Sequence, residues 1–411
     1  MPAAASTSTA LSRRPTRASR RSALPWSALK HCCERLRQGL AGQTDNPTPP
    51  TGSGRSNDPL SWPFEAARLA MESWLSWFDR GAPEPGESTL AWTTANTVAL
   101  ELPTMRLRDC STRRSGQPAL ICAPYALHRA VIADFAPGHS VVQSLQGAGV
   151  DRVYLADWRS ASPEMRYLSI DSYLGDLNVA IDEIGAPVDL VGLCQGGWLS
   201  LLYAARFPAK VRRLVLAGAP VDLSIDSSLS RLARNAPEAV YDQLVARGGG
   251  NVSGEEMLQF WSRRLSPHDI EVALQRSLSD TGGPELLARF DQWNAETLNL
   301  PGTYYLQIVN WIFRENRIAA GEFTALGRKV DLKDVKAPVF LLAGLDDEVV
   351  PAVQALATAH LVGTPPALIA AASEPSDHLG LFMGAKTHAH AWPRIAEWLQ
   401  AELPGVLARR A

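Results

Sequence analysis

A cysteine with a glycine two positions away on either side, in Gly192-Leu193-Cys194-Gln195-Gly196, follows directly on the apolar run Val188-Asp189-Leu190-Val191. The chemistry such a segment offers is nucleophilic. A strand that turns sharply into a helix exposes the residue at the turn, and glycines around it let the turn close without side-chain clashes. Serine is the usual occupant. Cysteine in its place suits acyl transfer from thioesters, because a thiolate is both a strong nucleophile and a good leaving group. A free cysteine is often only a small buried hydrophobe, so the surrounding elements decide. Trp198 to Ala205 reads as a helix and Val211 to Ala217 as the next strand, which completes strand, elbow, helix, strand.

In that order of elements an acid and then a histidine base follow the nucleophile, each on a loop after a strand. The strand-like run Pro338 to Ala343 leads into Gly344-Leu345-Asp346-Asp347-Glu348. Three adjacent carboxylates do not all point inward; Asp347 is the first choice for the acid and Asp346 the second. Ser376-Asp377-His378-Leu379-Gly380 follows the apolar run Ala367 to Ala372 and nominates His378 as the base. Among the other histidines, His388 and His390 lie in a helical stretch and are expected to be exposed. His360 precedes its strand, and His268 falls in an insertion. An oxyanion hole takes two backbone N–H groups. Gln195 supplies one, and the loop Pro124 to His128 the other, from Ala126 or, as the alternative, Leu127.

These residues need a scaffold. From about residue 100 short β-like runs alternate with helical ones, which argues for an α/β fold with a mostly parallel sheet covered on both faces. Leu120 to Ala123 and Val153 to Ala156 read as strands, and Asp171 to Ile184 as a helix. Past Pro220 the strand rhythm stops until Pro338. The chain therefore divides into a basic tail at 1–57, an aromatic helical segment at 58–99, an α/β-hydrolase core at 100–220 and 331–411, and a helical lid at 221–330. Within the lid, Gly248-Gly249-Gly250 reads as a flexible loop; with no Gly-Lys-Ser/Thr after it, it is a poor phosphate loop. Trp293 is read either as a wall of an acyl pocket or as a lid-core side chain. Ile395 to Leu399 closes the chain as a terminal helix.

Composition narrows the class. With 411 residues, 46% hydrophobic, and a net charge of −2, the chain reads as a soluble globule and not as a nucleic-acid binder. No apolar stretch approaches the ~20 residues that span a bilayer. The five cysteines are scattered, with neither a disulfide framework nor a metal-ligand spacing, so a reducing cytoplasm and no metal are expected. No acidic residue precedes Glu34, and Arg13, Arg14, Arg17, Arg20 and Arg21 make the start basic. That composition fits a disordered tail or an organelle transit peptide. Between Asp58 and Arg80, Trp62, Phe64, Trp74, Trp77 and Phe78 mark a helix that docks on the body or on an apolar surface such as a lipid or polymer granule.

Together these stretches resemble the polyhydroxyalkanoate synthase family, in particular the short kind that works with a second subunit. The resemblance runs from about Pro118 to Leu399. Its most specific pieces are VDLVGLCQGGWLSLLYAARFPAKVRRLVLAGAPVDL around Cys194, RFDQWNAETLNLPGTYY in the lid, KVDLKDVKAPVFLLAGLDDEVVP around Asp347, and DHLGLFMG at His378. It implies a cytoplasmic enzyme that joins 3-hydroxyacyl groups from coenzyme A thioesters into a storage polyester. Coenzyme A thioester would be the substrate, with no separate cofactor. Cys194, Asp347 and His378 match the family's triad, and a second subunit or a homodimer and a granule surface are the implied partners. Two positions depart from the family. Asp377 replaces a usual glycine, and a carboxylate there is expected to raise the imidazole pKa; His128 replaces a usual asparagine. Intracellular polyester depolymerases resemble the synthases and share the cysteine, so hydrolysis of polyester or acyl thioester is the alternative. A non-catalytic granule-binding module is the third reading.

Overall fold

The computed structural model describes residues 90–262 and 283–402. In chain order the strands are β1 (Thr97–Glu101), β2 (Met105–Asp109), β3 (Pro118–Cys122), the small pair β4 (Asp134–Ala136) and β5 (His139–Ser140), β6 (Arg152–Trp158), β7 (Val188–Leu193) and β8 (Val211–Ala217). They continue as the short β9 (Asn251–Val252), β10 (Leu300–Pro301), β11 (Thr324–Ala325) and β12 (Arg328–Lys329), then β13 (Val339–Gly344) and β14 (Ile369–Glu374). Eight of them form one sheet in the order β1-β2-β6-β3-β7-β8-β13-β14. Only β2 runs against its neighbours; from β6 to β14 every pairing is parallel. Every residue of β3, β7 and β13 is buried, the unbroken apolar pattern of parallel strands covered on both faces.

Parallel neighbours need crossovers, and helices supply them. They include α1 (Val141–Gly147), α2 (Ile170–Ile184) and α3 (Gln195–Arg206). α2 buries Tyr173, Leu174, Leu177, Ile181 and Ile184 at spacings of three and four, and ends at Gly185, whose φ of 91° no β-carbon favours. The strand order, with the turn from β7 into α3 at its centre, is the α/β-hydrolase fold.

Between β8 and β13 lies the lid, with α4 (Ser228–Asn235), α5 (Glu238–Arg247), α6 (Gly254–Ser262), α7 (Pro284–Ala295) and α8 (Gly302–Gln307). α8 continues into a π-helical stretch at Ile308–Arg314. The lid is stitched to the loop after β3. The Leu298 N–H donates to the Leu127 carbonyl at 2.8 Å, and the Tyr125 hydroxyl donates to the Asn299 carbonyl at 3.1 Å. The Gly248–Gly250 run, expected to be loose, is held by hydrogen bonds from the Gly250 N–H to Val245 and from the Gly302 N–H to Gly250, both at 2.9 Å. After β13 come α9 (Ala352–Leu361), the single turn α10 (Gly380–Met383) and α11 (Ala385–Gln400).

Two expectations need correction. The helical segment expected through residue 99 does not extend there: Leu90 to Asn96 is irregular and β1 begins at Thr97, because the backbone pairs with β2. This stretch is tied down by Thr94, whose N–H and hydroxyl both donate to Asp134 at 2.8 Å. The terminal helix starts at Ala385, ten residues before Ile395, and accommodates Pro393 within it. The tail at 1–57, the aromatic stripe at 58–80, His268 and residues 403–411 lie outside the described residues.

Candidate active site

Cys194 stands between the last residue of β7 and the first of α3, with φ 48° and ψ −119°. A non-glycine residue at positive φ costs roughly 1–3 kcal/mol and persists only where its surroundings over-determine it. Here they do. The Cys194 N–H donates to the Ala217 carbonyl of β8 at 2.9 Å. A β-carbon on Gly192 would meet the Gly196 carbonyl and Ser200 Oγ, each at 2.8 Å. One on Gly196 would run into the Cys122 carbonyl and lie 2.8 Å from that of Ala123, and one on Gly197 would overlap the Ala219 β-carbon. The glycines thus let the first turn of α3 press against the end of β3, where the Pro124–His128 loop begins.

His378 and Asp347 reach the thiol from the ends of β14 and β13. His378 Nε2 lies 3.1 Å from Cys194 Sγ, and its Nδ1 lies 2.7 Å from Asp347 Oδ2. Asp347 is buried, and its Oδ1 accepts the N–H groups of Val349 and Val350 at 2.9 and 2.8 Å. Its neighbours Asp346 and Glu348 are exposed, which resolves the choice among three carboxylates in favour of Asp347. Since a carboxylate only accepts, Nδ1 carries the ring proton and Nε2 faces the sulfur as acceptor when the imidazole is neutral. Burial pushes the His378 pKa down, but the charges of Asp347 and Cys194, with their hydrogen bonds, outweigh it and hold the imidazole well above its ordinary 6.5. Asp377, expected to raise the imidazole pKa, is not among the causes; its Oδ1 accepts the N–H of Gly380, the first residue of α10, at 2.7 Å.

Gln195 opens α3, so its backbone N–H has no partner within the helix and sits at the positive end of the helix dipole. Ala126 and Leu127 are half-buried in the loop after β3. Beside them, burial lowers the His128 pKa to about 4, opposed by a ring N–H bond to the Glu296 backbone carbonyl, so the ring is neutral. His128 packs against Trp293 in a tilted arrangement with ring centroids 4.3 Å apart, and Trp293 in turn contacts Phe290 at 5.4 Å. Trp293 is 1% exposed and packs in the interior of lid and core, tying the two together.

Of the other histidines, His360 and His390 are exposed, whereas His388, expected to be exposed, is buried at 7%. Helical periodicity places residues 388, 391, 392, 395 and 399 on one face, and all five are buried; that pattern was the signal available in the sequence. Among the described residues no group of three or more His, Cys, Asp or Glu is placed to hold a metal ion, and no helix is long and apolar enough to cross a membrane.

A family model described as the C-terminus of PHB de-polymerase matches residues 268–402. The poly(3-hydroxyalkanoate) polymerase subunit PhaC of Allochromatium vinosum is 30% identical over 295 residues, which cover 69% of this chain and 81% of that protein. Its counterpart in Synechocystis sp. is 30% identical over 69% of this chain and 78% of its own. That of Haloferax mediterranei is 29% identical over 74% of this chain, which spans 63% of its length. A crystal structure of monoacylglycerol lipase from Paleococcus ferrophilus superposes with a TM-score of 0.47 at 17% identity, covering 72% of this chain and 98% of that one; the strand order and the elbow, not that superposition, define the fold.

Proposed function

Because this chain belongs to the poly(3-hydroxyalkanoate) polymerase family, as its 30% identity to a protein of which it covers 81% establishes, we propose that it polymerises 3-hydroxyacyl groups from coenzyme A thioesters through a thioester on Cys194. The observation that carries this reading is the aligned array Cys194 Sγ, His378 Nε2, Asp347, with separations of 3.1 and 2.7 Å. His378 takes the thiol proton and the sulfur attacks the acyl carbonyl. The C–S bond to coenzyme A breaks, and the imidazolium returns its proton to the departing thiolate. The 3-hydroxyl of another unit then gives its proton to His378 and attacks the acyl-enzyme, and the Cys194 thiolate leaves. Asp347 keeps Nδ1 protonated throughout and stabilises the imidazolium. The N–H groups of Gln195 and Ala126 receive the oxyanion of each tetrahedral intermediate.

Water in place of the 3-hydroxyl turns the same array into a hydrolase. This second reading is favoured by the match of residues 268–402 to the depolymerase C-terminus. No cofactor beyond the coenzyme A of the substrate enters either scheme. The word subunit in the relatives' names supports a second subunit as partner, with a homodimer as the alternative; the polymer product supports a granule surface in the cytoplasm as the working place. Incubation of the purified chain with 3-hydroxybutyryl-coenzyme A, alone and with a partner subunit, tests the reading. Coenzyme A release with insoluble polyester supports the polymerase, and release with free hydroxy acid supports the hydrolase. Hydrolysis of added polyester would also support the hydrolase; no coenzyme A release together with no polyester hydrolysis would refute both.

A further inference from the structure

α10 is a single turn of four residues, too short to hold itself, yet it begins two residues after His378. Its three last carbonyls each accept a buried ring N–H from another element. Leu381 accepts from Trp392 Nε1 at 3.0 Å, Phe382 from His388 Nε2 at 2.8 Å, and Met383 from His139 Nδ1 at 2.7 Å. His139 comes from β5, and His388 and Trp392 come from α11. His388 is itself oriented by Ser144 of α1, whose Oγ lies 2.9 Å from Nδ1. Burial lowers the His388 pKa to about 4, opposed by the Phe382 hydrogen bond and assisted by the charge of His139. The ring is therefore neutral near pH 7. A carbonyl only accepts, so the proton sits on Nε2, and Nδ1 accepts from the Ser144 hydroxyl.

The turn so gripped is coupled to the base at both ends. The N–H groups of Phe382 and Met383 return to the Leu379 carbonyl at 3.0 and 2.9 Å, one residue after His378. The Phe382 ring stands edge-on to the imidazole, with centroids 5.4 Å apart. The geometry points to His139, His388 and Trp392 as positioning residues that clamp the α10 turn and thereby hold His378 at its 3.1 Å separation from the thiol. This inference rests on the proposed role of His378 as base. Apolar packing alone would let the turn slide; three directional bonds to successive carbonyls fix its rotation as well as its height, to within the about 0.5 Å that catalytic groups require.

The test uses the full chain and two readouts: steady-state coenzyme A release from 3-hydroxybutyryl-coenzyme A, and the rate at which iodoacetamide alkylates Cys194 near pH 7. His388→Ala is expected to lower kcat about ten- to a hundred-fold, to leave KM within about two-fold, and to slow alkylation in parallel. His388→Gln, which presents an amide N–H near the place of Nε2, is expected to recover most of both rates. Leu399→Ala opens a cavity at the far end of the same helix, where Leu399 is buried; it is expected to lower the Tm while leaving kcat unchanged. If His388→Ala does not fold, Ser144→Ala carries the test with an expected loss of about three- to ten-fold in kcat, full retention overturning the clamp. The clamp is also overturned if His388→Ala keeps kcat, if glutamine restores nothing, or if Leu399→Ala costs as much. His378→Ala, assayed in parallel, separates the two ideas: an active His378→Ala removes the proposed base, whereas an inactive one beside an active His388→Ala removes only the clamp.

Discussion

Cys194 and the Asp347–His378 pair, the proposed nucleophile and its acid–base partners, are held in place by opposite means. The elbow around Cys194 is a steric device: Gly192, Gly196 and Gly197 let three backbone segments approach more closely than any β-carbon permits, and the chain is forced to positive φ. The Asp347–His378 side is a polar device, built from directed hydrogen bonds to Val349, Val350 and Gly380, with the turn after the histidine bonded by three buried rings. Close packing gives a position with no adjustable part. Hydrogen bonds give a position that keeps its geometry under isosteric change but loses its electrostatics. The Cys194 sulfur thus sits on the rigid half, and the His378 and Asp347 groups proposed to move its proton sit on the tunable half.

The largest expected effect is common to both halves. Cys194→Ala removes the attacking atom and is expected to lower coenzyme A release by at least about 10³-fold, leaving only catalysis by the oxyanion donors; substantial residual activity would remove the thioester mechanism. On the polar half, Asp347→Asn keeps the shape, and the fold is expected to survive while kcat falls about 10²- to 10⁴-fold. The pH profile then carries the sharper signal. His378 must be neutral to accept a proton, so activity rises with pH through its pKa, and that acid limb is expected above 6.5 in the parent chain, where Asp347 and Cys194 overcome the effect of burial. Removing the Asp347 charge lowers the imidazole pKa, so the limb of Asp347→Asn is expected at lower pH. A limb that stays in place in a kcat/KM titration would show that Asp347 does not tune the base.

On the steric half, Gly196→Ala is expected to behave differently. Its new β-carbon meets the carbonyls of Cys122 and Ala123, both main chain, so α3 has to shift. Activity is expected to fall about 10²-fold, together with a loss of about 1–3 kcal/mol in unfolding free energy. Unchanged denaturant midpoints would mean that the elbow yields more easily than its packing implies. The smallest effect is expected at Asp346→Asn, where the side chain is exposed; activity within about two-fold of the parent is expected, and a larger loss would reopen the choice between the two aspartates.

How much of this was legible beforehand follows the same division. The elbow could be read residue by residue, because its requirements are local: an apolar strand, two glycines at fixed offsets, a helix-forming run. The order of acid and base was legible for a related reason, since each follows an apolar run, Pro338 to Ala343 for the acid and Ala367 to Ala372 for the base. The positioning of the base was not. His388 looked like one of two histidines in an exposed helical stretch, although it lies on the buried face of a helix that runs from Ala385 to Gln400. β1 was hidden because its side chains are mostly exposed and its only strong signal is backbone pairing to β2.

What the sequence by itself determined is therefore the frame and the candidate residues. Periodicity and glycine placement act over a few residues, and they suffice for the α/β alternation, the thiol at the turn, and His378 as the candidate for the base. Which of Asp346 and Asp347 turns inward, and which ring nitrogens meet the carbonyls after His378, only the tertiary structure decided. Those outcomes depend on partners 31 residues apart for Asp347 and His378 and 244 apart for His139 and Met383, and no local preference specifies a contact at that separation until the sheet has brought its strand ends together.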